Sequence, residues 1–196
     1  MDRASPLPPI FTIGHSTLSF EAFAGLLQAH EVACVVDVRK LPGSRRHPQF
    51  NADALAGELA TLGIDYVHIA ALGGRRGRQL QTGAVSPNDY WTHAAFRRYA
   101  DYAMTAAFAD GLQQLLELAA HRRCALMCAE AVWWRCHRRI IADYLIAADR
   151  TICHILGPGH IDPAQATPSA RRRGACLVYP AAPEEGDRRD TPLQGG

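Results

Sequence analysis

The sequence predicts an α/β protein: a single domain on a mainly parallel five-stranded sheet with helices on both faces, followed by a mobile C-terminal tail. Three observations predict it. Short apolar, often β-branched runs alternate along the chain with stretches of helical spacing, the pattern of β–α–β units. The β-branched run at 32–39 is apolar almost throughout rather than alternating, as strands buried on both faces are. Reactive residues follow the runs and are sparse inside them, which puts polar chemistry where open α/β sheets bind ligands, outside the carboxyl ends of the strands.

In chain order, "IFTIG" (10–14) reads as the first strand. "LSFEAFAGLLQAHE" (18–31) has helical apolar spacing, with Ser16 or Thr17 available as N-cap. "VACVVDVR" (32–39) is the second strand, and "NADALAGELATLGI" (51–64) a helix capped by Asn51 with Gly63 near its end. "DYVHIA" (65–70) is the third strand, and 72–89 a long polar loop, Gly-rich at its start and suited to act as a lid. Helical patterns fill 90–120, with a break expected near Ala109–Gly111. "CALMC" (124–128) is the fourth strand, 136–148 a helix, and "TICHIL" (151–156) the fifth strand. The domain is therefore read as 10–156. The Pro-, Gly- and charge-rich segment 157–196 is read as a flexible tail in which "CLVYP" (176–180) could dock as an edge strand.

A chain of 196 residues that is 48% hydrophobic supports one real core. No run approaches the ~20 apolar residues of a membrane helix, and "MDRASPLPPIFTIGHS" has no signal-peptide core, so a cytoplasmic protein with no membrane partner is expected. The six cysteines lack a disulfide rhythm and are expected as reduced thiols, with Cys34 and Cys124 in the core. A net charge of +2 does not announce a nucleic-acid binder, yet arginines gather at 39–48, 73–78, 135–139 and 170–173. These clusters bind anions only if the fold brings them together.

The strand exits supply the candidate site. Gly14-His15-Ser16 follows the first strand, where His15 and Ser16 either cap a helix or face a ligand. Asp37 and Arg39 end the second strand, as a structural ion pair or as catalytic and binding groups. His68 and His154 lie within strands and are read as core or supporting residues. The richest stretch is 128-CAEAVWWRCHRR-139. Cys128 leaves a strand shortly before a helix that begins with Arg135, His137, Arg138 and Arg139, and positive potential of that kind favours a thiolate and binds anions. Cys128 is thus a candidate nucleophile, although the spacing to Arg135 is longer than a phosphatase loop and lacks its glycines. Glu130 is a candidate general acid or base if the Trp133–Trp134 pair desolvates it, or a partner of Arg135 if not. One of the tryptophans could stack on a base. Metal binding would use Cys128, Cys136 and His137, but no Cys-x-x-Cys pair is present. No cofactor is therefore predicted, with zinc or iron as the minor alternative.

Taken in order, "TIGHST", "VVDVRKLPGSRRHPQFN", "YVHIAALGGRR", "FRRYADYAMTAAF" and "LMCAEAVWWRCHRRIIADYL", then "ICHIL", resemble the domain-of-unknown-function 488 family over about residues 11–156. The resemblance implies a domain but no reaction. It implies functional weight at Gly14, His15, Ser16, Asp37, Arg39, Ser44, Arg45 or Arg46, Phe50, Asn51, Cys128, Ala129, Glu130, Cys136, His137 and Arg138. Members commonly carry a proline in the loop after the glutamate, where this chain reads Ala131-Val132-Trp133-Trp134.

The expected function is an enzyme, hydrolase or transferase, on an anionic substrate: a phosphate-bearing small molecule, a nucleotide or a nucleic acid. Arg39, Arg45, Arg46, Arg75, Arg76, Arg135 and Arg138 would bind the anion, with Glu130, Cys128, His15 and Asp37 as catalytic groups. Ser16, Ser44, Asn51, Cys136 and His137 would support them. The alternatives are a non-catalytic nucleotide or nucleic-acid binding module and a cysteine-based redox or metal protein.

Overall fold

The apolar runs become strands because the sheet is covered on both sides and can bury every residue of its central members. In the computed structural model, which describes residues 7–76 and 85–181, β1 (Ile10–Gly14), β2 (Cys34–Asp37) and β4 (Cys124–Cys128) are buried along their whole length. With β3 (Asp65–His68), β5 (Ile152–Gly157) and β6 (His160–Pro163) they form a six-stranded sheet in the order β3-β2-β4-β1-β5-β6. The first five strands in that order are parallel, and β6 is antiparallel to β5.

Alternate residues point to opposite faces. Phe11, Ile13, Val35, Ala125 and Met127 pack with Phe23 and Leu27 of α1 (Phe20–Ala29) and Leu55 and Leu59 of α2 (Ala52–Thr61). On the other face Ile10, Cys34, Val36, Cys124 and Leu126 share a core with Tyr99 of α3 (Ala94–Tyr102), Phe108 and Leu115 of α4 (Ala106–His121), and Ile140 and Leu145 of α5 (Arg138–Ala147). Cys34 and Cys124 are core residues, paired in register across β2 and β4. Each large apolar side chain buried this way contributes roughly 1.5–3 kcal/mol. Among the described residues no helix is long and apolar enough to cross a membrane.

Several boundaries differ from the expected ones, each for a local reason. Ser19 rather than Ser16 or Thr17 caps α1, its hydroxyl accepting from the Ala22 amide. Asn51 precedes α2 without capping it; its Oδ1 accepts from the Ser44 amide at 2.6 Å and ties the loop after β2 to the helix. The break between α3 and α4 falls at residues 103–105, not at Ala109–Gly111, because Thr105 caps α4. Gly111 lies inside α4, where a Cβ would sit 2.9 Å from the Ala71 Cβ; it lets the helix press on the turn at Ala70–Leu72. The helix after the fourth strand begins at Arg138, behind a single 3-10 turn, Trp133–Arg135.

The largest difference lies beyond residue 156. The segment read as tail supplies β6 and a separate hairpin, β7 (Arg171–Arg173) with β8 (Cys176–Val178), so "CLVYP" pairs with β7 and not with the main sheet. Tyr179 behind the hairpin is fully buried. Residues 182–196 of the expected tail, and residues 77–84 of the expected lid loop, lie outside the described residues.

Topology fixes where a ligand can enter. From β2 the chain passes through α2 to β3 on one face; from β4 it passes through α5 to β5 on the other. β2 and β4 are neighbours, so their exits diverge and leave a crevice at their carboxyl ends, the position at which open α/β sheets bind ligands.

Candidate functional site

A cavity of about 470 Å³ occupies that crevice. Its walls are the loops after β1, β2 and β4, the segment around Gly74 and the start of α3. The exits of β1 and β4 are held side by side: the amides of His15 and Ser16 donate to the carbonyls of Cys128 and Ala129, both at 3.0 Å. Gly14 permits this approach, since a Cβ there would lie 1.8 Å from the Glu130 carbonyl oxygen.

The Asp37–Arg39 element is a structural anchor at the edge of the cavity. Arg39 donates from Nε to both Asp37 oxygens (2.9 and 3.0 Å), from Nη2 to Asp37 Oδ2 (2.5 Å) and from Nη2 to the Phe50 carbonyl (2.7 Å). The Tyr66 hydroxyl donates to the same Asp37 oxygen at 2.7 Å, and Asp37 is fully buried. His68 Nε2 donates to the Arg39 carbonyl at 2.8 Å, the supporting role read for it. His15 completes the group. Its Nδ1 donates to the Ser16 carbonyl, which leaves Nε2 to accept from Arg39 Nη1 at 3.3 Å, and its ring stacks on Phe50. Burial, with the Arg39 charge beside it, pushes His15 down to about 4. His15 is therefore neutral with its lone pair engaged, and Asp37 is saturated by Arg39 and Tyr66. Neither has a free atom for proton transfer, although both were read as catalytic candidates.

The stretch after β4 supplies the reactive end. Trp133 turns inward and stacks on His154 at 4.3 Å, while Trp134 stays 46% exposed. His154 is a core residue bonded to Thr12 Oγ1 at 2.7 Å. Burial first, then the Arg138 charge, lowers it to about 4. Glu130 lines the cavity but is exposed, so the Trp pair does not enclose it, and it forms no ion pair among the described residues. At the floor, His137 Nε2 donates to the Val38 carbonyl at 2.9 Å. A carbonyl only accepts, so in the neutral ring Nδ1 carries the lone pair, and it faces Cys136 Sγ at 3.5 Å and Cys128 Sγ at 4.0 Å. Arg138 is almost wholly buried, donating from Nε to Cys136 Sγ at 3.3 Å and from Nη2 to the Glu130 carbonyl at 2.6 Å. Burial works to raise the Cys136 thiol, but the hydrogen bond from Cys128 and the charge of the buried Arg138 outweigh it and hold the thiol well below its ordinary range. Cys128 is pushed the other way, by that same hydrogen bond and then by burial. Of the two thiols, Cys136 is thus the one whose surroundings favour the thiolate, although its place in the sequence reads as a supporting one.

Of the arginines read as anion ligands, Arg39, Arg75 and Arg135 line the cavity. Arg39 is spent on Asp37, and Arg138 on Cys136 and Glu130. Arg76 lies over the Tyr102 ring at 3.3 Å and donates to the carbonyls of Gly73 and Ala71. Arg45 and Arg46 are exposed outside the cavity, whereas Ser44 lines it and orders its loop by accepting from the amides of Arg46 and His47. Lys40, His47, His93 and Phe96 line the cavity and were not singled out. Lys40 follows Asp-x-Arg directly and sat within a noted basic run, so a signal existed; His93 and Phe96 come from a distant helix start that only the fold brings near.

A family model described as "Domain of unknown function DUF488" matches residues 19–145, the greater part of the chain. No curated protein and no solved structure matches it.

Proposed function

The chain belongs to the DUF488 family, whose description names no reaction, and from that premise we propose that it is a cytoplasmic enzyme, hydrolase or transferase, acting on a small phosphate-bearing anion in the cavity between β2 and β4. One observation carries this: Lys40, Arg75 and Arg135 line the cavity as exposed cations, and among the described residues Glu130 is the single acid that lines it. An excess of uncancelled positive charge in a concave site favours an anion. The volume, about 470 Å³, suits a nucleotide-sized ligand rather than a tracked polymer. Glu130 at the rim is placed for proton transfer, and the Cys136–Cys128–His137 cluster at the floor for chemistry at sulfur.

Titration calorimetry with pyrophosphate and nucleoside triphosphates tests binding. Lys40→Ala and Arg135→Ala should each weaken it about tenfold, the value of one charge-assisted contact. Arg45→Ala and Arg46→Ala, outside the cavity, should leave it unchanged. An absence of binding, or equal losses from both pairs, defeats the proposal; tighter binding of long oligonucleotides than of mononucleotides would move it to nucleic acid. Product assays then test catalysis, where Glu130→Gln should keep affinity and lose turnover by about a hundredfold or more. The thiols are only 7% and 2% exposed, which favours a second reading, a non-catalytic binding module. A bound ligand never consumed by the wild-type protein would establish it.

A further inference from the structure

We propose that Cys128, Cys136 and His137 form a binding site for a soft divalent cation of zinc's class, with a fourth coordination position open to the cavity. The three donor atoms lie within 4.8 Å of one another. A tetrahedral zinc with bonds of about 2.3 Å to sulfur and about 2.05 Å to nitrogen sets sulfur–nitrogen gaps of about 3.6 Å. The observed sulfur–nitrogen gaps are 3.5 Å from Cys136 and 4.0 Å from Cys128, within about half an ångström of that spacing. All three residues line the cavity, so the vacant position of such a site faces it.

Two further features point to a ligand site rather than to packed thiols. A metal-binding histidine characteristically donates its other ring N–H to a carbonyl or carboxylate, which fixes the tautomer and aims the free nitrogen. His137 does this through Val38. Arg138, itself buried and anchored on the Glu130 carbonyl, donates to Cys136 Sγ, the outer contact that a thiolate ligand takes. The neighbouring backbone is also cleared for Nδ1: a Cβ at Gly74 would lie 2.3 Å from it, so a larger residue would cover the nitrogen that the site needs. Two thiolates offset the charge of one divalent cation, and soft sulfur with imidazole selects zinc over magnesium or calcium. Three protein ligands and an open position are the arrangement of catalytic rather than structural zinc, and here the open position meets the space proposed above for an anion. The metal site rests on the cluster alone and not on that anion.

The test titrates the full-length protein, stripped with chelator, with zinc and with cobalt(II) alone. One cobalt per chain is expected, with tetrahedral d–d bands and thiolate-to-cobalt charge-transfer absorption that zinc displaces. Cys128→Ser, Cys136→Ser and His137→Gln should each weaken affinity more than about a hundredfold, beyond the 10–100-fold of an outer contact, while Cys153→Ser should not change it. Should a variant fail to fold, alkylation of the wild-type protein decides: zinc must protect Cys128 and Cys136 and leave Cys153 labelled as before. No cobalt–thiolate band in the wild type, a band retained in folded Cys128 and Cys136 variants, or protection spread over all cysteines overturns the proposal. Pyrophosphate calorimetry on stripped protein reads the anion site separately, so either can fail alone.

Discussion

Two buried histidines make the folded state sensitive to acid. His15 is held neutral by burial and by Arg39, with Asp37, the Ser16 carbonyl, His47 and Phe50 as its other neighbours. His154 is held neutral by burial and Arg138, opposed by Asp162, with Thr12 and Trp133 in contact. Both bind a proton at about 4 when folded and near 6.5 when unfolded, so between those values the unfolded chain takes up more protons. Their contribution is complete above pH 6.5 and is lost as pH falls toward 4, on the order of 3 kcal/mol for each. Urea unfolding from pH 7 to pH 4 should show this fall, and His154→Gln, which can still bond Thr12, should remove about half of the slope. A flat profile would mean that neither ring is confined as described. The same scale explains what sequence could and could not reveal. His15, Asp37, Arg39 and the 128–139 cluster were legible because reactive types at strand exits are conspicuous. That Arg138 is a buried strut while Lys40 is an exposed cation was not legible, because both are simply basic residues after a strand until packing decides which one meets water.

At the scale of elements, a few tight contacts position the cavity walls. α4 presses on the turn Ala70–Leu72, which leads directly into Gly73, Gly74 and Arg75, and Tyr99 and Tyr102 of α3 donate to the carbonyls of Leu72 and Ala71 at 2.7 Å. Gly111 is the contact point. Replacing it by alanine gains up to about 1 kcal/mol of helix propensity. The new methyl group, 2.9 Å from Ala71 and 3.3 Å from Leu72, costs about 1–3 kcal/mol of overpacking. Gly111→Ala should therefore lower the urea midpoint by the equivalent of about 1 kcal/mol, and a raised midpoint would show that the helix and turn are not in close contact. This glycine also shows why the helix break was misplaced: a glycine in a helical pattern reads as punctuation, although close approach to another element gives the same residue an equal reason to be there. The true break carried its own signal in Thr105, a capping residue ahead of an apolar run.

At the scale of the molecule, the alternation of strands and helices and the parallel sheet were the legible part, because burial on both faces writes a continuous apolar run, whereas the strand order came only from the fold. The segment after residue 156 was not, since its Pro, Gly and Arg content matches that of disordered chain and its anchors are single residues. Those anchors are specific. The Thr167 amide donates to Asp143 Oδ1 at 2.8 Å and the Tyr179 amide to Asn88 Oδ1 at 2.9 Å. The Tyr90 amide donates to the Tyr179 carbonyl at 3.0 Å, and the Leu177 amide to the Tyr144 hydroxyl at 3.0 Å. Leu177 and Tyr179 are 5% and 0% exposed and sit in the same core as α3, α4 and α5. Removing everything after residue 156 would strip these side chains from the core, each worth roughly 1.5–3 kcal/mol. It would also leave the buried Asn88 Oδ1 and Asp143 Oδ1 without the amides that they accept from and bare the β5 edge. The sum is comparable to the whole stability of a domain, about 5–15 kcal/mol. A chain ending at residue 156 should therefore be recovered unfolded or aggregated, while one ending at 181, which keeps every contact just named, should unfold cooperatively like the full protein. A cooperatively folded 1–156 fragment would instead place the domain boundary where composition alone put it, and would make residues 157–181 an accessory laid over a core already complete.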